Sequence, residues 1–150
     1  MKKTLKIEIP EGYEIDEKKS TFENIVFKKV DEVVIKWNKN YNGVEIKAYG
    51  EHFILDGNPN FHMNWNNAMR FYDNLTFWKL PTVKQLQIVR KYFKEINNVM
   101  EDNSGFVLTM GYYWTIEEKN EFCALYVAMG GGTSKAVKGD NFFVRAVSTL

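Results

Sequence analysis

Acid–base, nucleophilic or metal chemistry in this chain would have to draw on two histidines, one cysteine and a scatter of carboxylates. His52 and His62 stand far apart in the sequence, and neither spacing nor neighbours match the i, i+4 histidine pair that puts two metal ligands on one helical face. Cys123 lies within Phe122-Cys123-Ala124-Leu125, an apolar stretch that predicts a buried, inert thiol rather than a nucleophile. The run Gly130-Gly131-Gly132-Thr133-Ser134-Lys135 lacks the leading glycine spacing of a phosphate loop and reads as a hairpin or surface loop. No Gly-x-Ser-x-Gly nucleophile motif occurs. Glu117, Glu118, Asp140 and Asn141 offer hard oxygens, yet calcium takes about six to eight of them, so they read as solvated turn residues. No catalytic residue, metal ligand or cofactor follows from these residues, and a non-enzyme is expected.

Binding is better provided for than catalysis. Tyr112, Tyr113, Tyr126, Phe142 and Phe143 gather in the C-terminal segment, with Lys135 and Lys138 between them. Strands alternate their side chains, so about half of these rings must leave the core. Exposed aromatic surface commonly marks a ligand or partner site. The candidate ligand-binding residues are therefore Tyr112, Tyr126, Lys135, Lys138 and Phe142; plain core packing is the competing explanation. Asn38, Asn40 and Asn42 around Lys39 and Tyr41 read as a solvated hairpin tip.

Composition limits the partners. The chain has 150 residues, 45% hydrophobic and 15% aromatic, a length that suits one domain with its own core. Twenty basic against nineteen acidic side chains leave a formal charge of +1, without the basic excess that nucleic-acid binding normally needs. A single cysteine excludes an internal disulfide and any multi-cysteine metal site. Lys6 and Glu8 interrupt any apolar core of an export signal, and the longest mostly apolar run, Phe122 to Met129, is far short of the ~18 residues of a membrane span. Synthesis in the cytoplasm, with no nucleic-acid partner and no membrane insertion, is the expectation. Action outside a cell would then require another route, such as a virus particle.

The elements that must hold these residues follow from periodicity. Leu5, Ile7 and Ile9 alternate with Lys6 and Glu8 as in a strand, closed by Pro10 and Gly12. Phe22, Ile25 and Phe27 form a second apolar group. Val33-Val34-Ile35 to Trp37 and Val44 to Tyr49 flank Asn42-Gly43, a strong hairpin signal; His52–Leu55 adds a short strand. Trp65, Ala68, Met69, Tyr72 and Leu75 then fall on one helical face, with Asn64 as N-cap. Thr82-x-x-Gln85 is a capping box that predicts a second helix with Leu86, Val89, Phe93 and Ile96 inward, ending near Asn97-Asn98. Tyr112–Thr115, Phe122–Met129 and Asn141–Val147 read as strands, separated by a Glu117–Asn120 turn and a Thr133–Asp140 loop. Strands, two helices, strands is an α+β order with a mainly antiparallel sheet. One domain is expected over 1–150, with an N-terminal β region over 1–57 and a core over 58–150.

The second half resembles the C-type-lectin-like domain of the Lcl C-terminal type, found in bacterial and phage proteins. The matching residues are Trp65-Asn66-Asn67-Ala68, Trp78-Lys79-Leu80-Pro81-Thr82 with Gln85-Leu86, Tyr113-Trp114-Thr115 before Glu117, Ala124-Leu125-Tyr126-Val127, Gly130–Gly132, and Val144-Arg145-Ala146-Val147. They span about residues 61 to 148 in the family's order. The opening Lys6–Tyr13 also resembles the start of small proteins from gut bacteria and their phages. The resemblance implies a C-type-lectin-like fold with an added N-terminal β-hairpin region. Calcium-dependent sugar binders of that fold carry Glu-Pro-Asn or Gln-Pro-Asp and Trp-Asn-Asp, which are absent here. The related formylglycine-generating oxidases use a cysteine pair, and this chain has one cysteine. Hypervariable receptors of this fold vary asparagine-prone positions near the C-terminus, whereas most asparagines here precede residue 104.

These readings imply a non-catalytic binding module, phage- or prophage-encoded and virion-associated, contacting protein or glycan through its C-terminal strand and loop surface. The alternative is a structural assembly protein that forms homo-oligomers by adding its N-terminal strands to a neighbour's sheet edge. Arg145, flanked by Val144 and Ala146, is expected to be partly buried and to pair with a carboxylate or with loop carbonyls.

Overall fold

The computed structural model describes residues 8–9, 12–16, 18, 27–29 and 32–150. Contacts divide the chain into two compact units, Met1–Glu32 and Val33–Leu150. In the first, β1 (Tyr13–Ile15) and β2 (Phe27–Lys29) form an antiparallel pair with Tyr13 opposite Lys29. The expected strand through Leu5 and Ile7, and the apolar residues Phe22 and Ile25, lie outside the described residues.

The second unit begins with β3 (Val34–Asn38), β4 (Gly43–Ala48) and β5 (Glu51–Asp56), a meander that continues into β6 (Phe61–Met63). Three helices follow: α1 (Trp65–Asp73), α2 (Val83–Lys91) and α3 (Phe93–Asp102). The chain closes with β7 (Tyr112–Glu118), β8 (Cys123–Ala128), β9 (Thr133–Val137), β10 (Phe142–Val144) and β11 (Val147–Thr149). One sheet has the order β11-β5-β4-β3 and is antiparallel throughout; the other has the order β6-β10-β7-β8-β9 and is antiparallel except where β10 runs parallel to β7. The protein is thus α+β, with two mainly antiparallel sheets.

Alternation along the strands builds two cores. Val44, Ile46, Phe53 and Leu55 from the four-stranded sheet meet Leu86, Val89, Ile96 and Met100 from α2 and α3, and Tyr113 and Val127 from the five-stranded sheet. On the opposite face of that second sheet, Trp114, Ala124 and Val144 pack with Trp65, Ala68 and Tyr72 of α1. Tyr113 and Trp114, neighbours in sequence, are both fully buried because each face of β7 has its own cover. Two indole N–H groups tie α1 down: Trp65 donates to the Thr115 carbonyl at 2.8 Å and Trp114 to the Met63 carbonyl at 3.1 Å.

The helix starts follow their sequence signals. Asn64 accepts from the Asn67 N–H at 2.8 Å. Thr82 accepts from the Gln85 N–H at 3.1 Å while the Gln85 amide oxygen accepts from the Thr82 N–H at 2.9 Å, a complete capping box. The second helix differs from expectation in its length. The backbone at Tyr92 opens to φ −106°, ψ 26°, splitting the rod into α2 and α3, although Ile88 O–Tyr92 N and Tyr92 O–Ile96 N bonds run through the break. The helix also passes the expected stop at Asn97. That side chain turns inward instead, its amide donating to the Leu108 carbonyl and accepting from the Leu108 N–H.

The C-terminal strands also depart from the sequence reading. Thr133–Val137 is a strand, not a loop, because its backbone pairs with β8 whatever its polar side chains do; an edge strand of this kind carries no apolar alternation. Glu117 and Glu118 extend β7, and the turn falls later, where Asn120 accepts from the N–H groups of Phe122 and Cys123. The expected strand over Asn141–Val147 is two strands, one in each sheet, with Arg145 and Ala146 between them. β6 has no counterpart in the sequence reading.

Two hairpins illustrate backbone constraint. In the Asn42-Gly43 hairpin only Asn42 is left-handed (φ 52°); Gly43 is there for room, since a Cβ would stand 2.3 Å from the Leu55 carbonyl oxygen. The β4–β5 turn uses Tyr49 (φ 50°) and Gly50 (φ 79°), both left-handed as a two-residue hairpin of this twist requires.

Thr82→Ala removes one half of the capping box and is expected to lower stability by about 1 kcal/mol in urea unfolding followed by circular dichroism. An unchanged midpoint would show that packing alone starts α2.

Candidate functional site

Arg145 organises the C-terminal half of the molecule. Only 2% of it is exposed, so its charge must be satisfied internally. Nε donates to Asn60 Oδ1 at 2.9 Å, one terminal nitrogen donates to the Asp56 and Phe106 carbonyls at 2.9 and 2.7 Å, and the other donates to the Val107 carbonyl at 3.1 Å. Of the two partners expected for it, loop carbonyls hold the guanidinium. Asn60 passes the network on, donating to the Tyr113 hydroxyl at 2.9 Å, and that hydroxyl donates to the Thr109 carbonyl and accepts from the Thr109 N–H. Burial pulls the Arg145 pKa below its ordinary value, opposed by Tyr113, Asp56 and Tyr72. Burial also raises the Asp56 carboxyl, although the Asn58 N–H, the charge of Arg145 and the Asn58 amide work the other way. Tyr72, buried beside Asp56, is pushed up to about 12. This cluster is structural: its polar atoms face one another.

The strand that precedes Arg145 carries the best candidate surface. Phe142 of β10 meets Trp114 at 4.5 Å between ring centroids, Tyr126 at 5.0 Å and Tyr112 at 5.4 Å. Tyr112 and Tyr126 lie 4.8 Å apart with planes 34° from parallel. Cross-strand register explains the group: Tyr112 opposes Ala128 and Trp114 opposes Tyr126, so all share one face. Trp114 closes the bottom, Tyr126 and Phe142 are half-buried on it, and Tyr112 is 49% exposed at the rim. Among the described residues neither the Tyr112 nor the Tyr126 hydroxyl has a hydrogen-bond partner. Ser134 opposes Tyr126 on the next strand, and Met110 stands exposed nearby beside Gly130.

Three of the five residues singled out by sequence therefore converge, and two do not. Lys135 opposes Leu125, one position out of phase with Tyr126, so it belongs to the other face of the sheet. Lys138 lies on the aromatic side but is engaged: its ammonium sits 3.3 Å from a Glu118 carboxylate oxygen, donates to the Glu121 carbonyl at 2.8 Å and lies over the Trp65 ring. Tyr113 and Phe143 point to the opposite core, 5.4 Å apart. Ser134 was missed; only the strand character of 133–137, invisible in apolar periodicity, would have brought it in.

The residues that suggested chemistry are used elsewhere. His52 contacts Glu45 at 3.1 Å across the β4–β5 pair, and the Asn38 amide, then His52, hold the Glu45 carboxyl below its usual range. His62 lies edge-on to Phe143. Cys123 is half-buried, not fully buried, because it opens β8 beside the turn rather than sitting mid-strand. Glu117 accepts from the Val83 N–H at the start of α2, while Glu118 pairs with Lys138, so these oxygens do not converge on one point. Among the described residues no group of three or more His, Cys, Asp or Glu side chains is placed to hold a metal ion, and no helix is long and apolar enough to cross a membrane. No family model and no curated protein matches the chain.

Arg145→Lys keeps the charge but cannot span four acceptors, and is expected to cost about 2 kcal/mol in urea unfolding; full stability would mean the carbonyls find water instead. The raised Asp56 pKa makes ionisation unfavourable in the folded state, so its cost sets in as pH rises past the unfolded carboxyl's pKa and is complete above the folded one. Asp56→Asn should therefore raise the melting temperature at pH 7 and lose that advantage below about pH 4, where the carboxyl is protonated folded or unfolded. An equal gain at both pH values would reject burial of the charge as the cause.

Proposed function

We propose that this chain is a non-catalytic binding module, C-type-lectin-like as its motifs suggest, that recognises a glycan through Tyr112, Tyr126 and Phe142. The observation that carries this reading is the ledge itself: three rings in mutual contact, braced by a buried Trp114, with two phenol hydroxyls unspent. Rings held by neighbours lose little side-chain entropy on binding, which is why tyrosine serves so well as a contact residue. A pyranose has the complementary make-up, one face of C–H groups to lie on a ring and hydroxyls at its edge to meet the phenols. A protein ligand would use the same surface as an apolar anchor and depend less on the hydroxyls. The motif resemblance extends the proposal to a phage or prophage product that works on a virion.

A glycan array probed with the full chain tests this. Tyr112→Ala is expected to weaken the bound signal by about tenfold or more, equivalent to about 1.4 kcal/mol, with an unchanged melting temperature because the ring is half exposed. Tyr126→Phe, which deletes only a hydroxyl, should weaken it severalfold. Binding that survives both changes, or no retained glycan at all, overturns the reading; loss with Tyr112→Ala but not with Tyr126→Phe points to a protein ligand.

A further inference from the structure

The face of the five-stranded sheet opposite the ledge carries a second, unassigned site. Lys84, Gln87, Ile88 and Lys91 fall at i, i+3, i+4 and i+7 on α2, a stripe along one side of the helix. A cavity of about 490 Å³ opens on one flank of that stripe, lined by Gln87, Arg90, Lys91, Val127, Met129 and Gly132. A recess of about 300 Å³ lies on the other flank, where Tyr49 joins Lys84, Gln87, Ile88 and Lys91. Gln87 and Lys91 line both, so the two hollows adjoin across these side chains as a divided cleft. Gln87 also donates to the Thr133 hydroxyl at 3.0 Å, which fixes the β8–β9 turn against the helix. Lys135 follows two positions on, on the same face of β9.

Two features set this cleft apart from an ordinary solvated helix face. Its cations are unneutralised: among the described residues none of Lys84, Arg90 and Lys91, nor Lys135 on the neighbouring strand, has a carboxylate within ion-pair distance, and no acidic residue lines either hollow. In a chain of net charge +1, that is a local concentration of positive charge. The second is Tyr49. A tyrosine at φ 50° occupies a turn position where asparagine or glycine would be free of strain. Its hydroxyl contacts the Lys91 ammonium, which also lies 4.7 Å from the ring centroid. The turn thus keeps an unfavourable residue whose ring forms a wall of the cleft.

We propose that this cleft binds an acidic saccharide, a sugar chain bearing carboxylate or sulfate groups. Lys84 and Lys91 are about 10 Å apart along the helix axis, more than one oxyanion can cover, so the charges suit several anions on one extended ligand. Arg90 can grip a planar carboxylate or a sulfate in two-point fashion, and the lysines serve as adaptable point charges. The Tyr49 ring, the Ile88 side chain and the Gln87 amide between them give the apolar and hydrogen-bonding surface that a sugar ring uses and a bare ion does not. The site is independent of the aromatic ledge.

Titration calorimetry on the full chain at about 0.15 M ionic strength tests this with a heparin hexasaccharide (sulfates), an oligogalacturonate (carboxylates), inorganic sulfate, maltohexaose and a thymidine oligonucleotide. One or both acidic saccharides should bind, with the preferred one naming the anion, and maltohexaose should not compete. Arg90→Gln and Lys91→Gln should each weaken binding by about tenfold, while Lys47→Gln, exposed on the outer face of β4, should leave it unchanged. Tyr112→Ala should also leave it unchanged; loss there would overturn the cleft and leave the ledge standing. Failure of both acidic saccharides to bind, an equal effect of Lys47→Gln, or equally tight binding of inorganic sulfate or the oligonucleotide each overturns the proposal.

Discussion

The molecule turns on one buried cation. Between β10 and β11 the chain leaves one sheet and joins the other, and Arg145 occupies that crossing. A strand that changes sheets abandons its ladder partners and leaves carbonyls of neighbouring loops without donors. The guanidinium supplies them from one rigid fork: the end of β5 at Asp56, the segment before β6 at Asn60 and the loop before β7 at Phe106 and Val107. A carboxylate partner would satisfy the charge but leave those carbonyls bare. Spending the donors on backbone instead converts one side chain into the tie for three connections.

That tie fixes what the sheet can present. With the crossing held, β10 lies beside β7, and strand alternation sorts the C-terminal residues to two faces. Tyr112, Trp114, Tyr126 and Phe142 take one; Tyr113, Val127, Phe143 and Lys135 take the other. The rings form a ledge on the first face. The second is largely core, but beyond the cover of α2 it leaves a basic cleft whose wall includes a strained tyrosine from the opposite sheet. The ledge thus comes from the strands themselves, whereas the cleft takes its cations from α2 and only Val127 and Met129 from β8 and its end. Residues that look like one patch in the sequence are divided: Lys135 lies on the face opposite the rings, while Lys138 stays on the aromatic side against Trp65 and Glu118.

What could be read in advance and what could not divides along physical lines. The caps at Asn64 and Thr82 were legible because a cap is a contact between residues three apart. The buried stripes of α1 and α2, the pairing of β3 with β4 and the α+β class follow likewise from short-range periodicity. Less legible were features made by a partner distant in sequence. β9 is a strand because β8 lends it hydrogen bonds, α3 continues because Asn97 is spent on Leu108, and the last strand divides because each half pairs with a different sheet.

By itself the amino-acid sequence determined the local elements, the aromatic content of the tail and the need of Arg145 for several acceptors, since each depends on residue type and near spacing. Tertiary structure alone decided which rings face outward together, that Lys138 is paired with Glu118 over Trp65, and that Lys135 lies on the opposite face of the sheet from the rings. Facing depends on register between strands far apart in sequence, and a shift of one residue would reverse it.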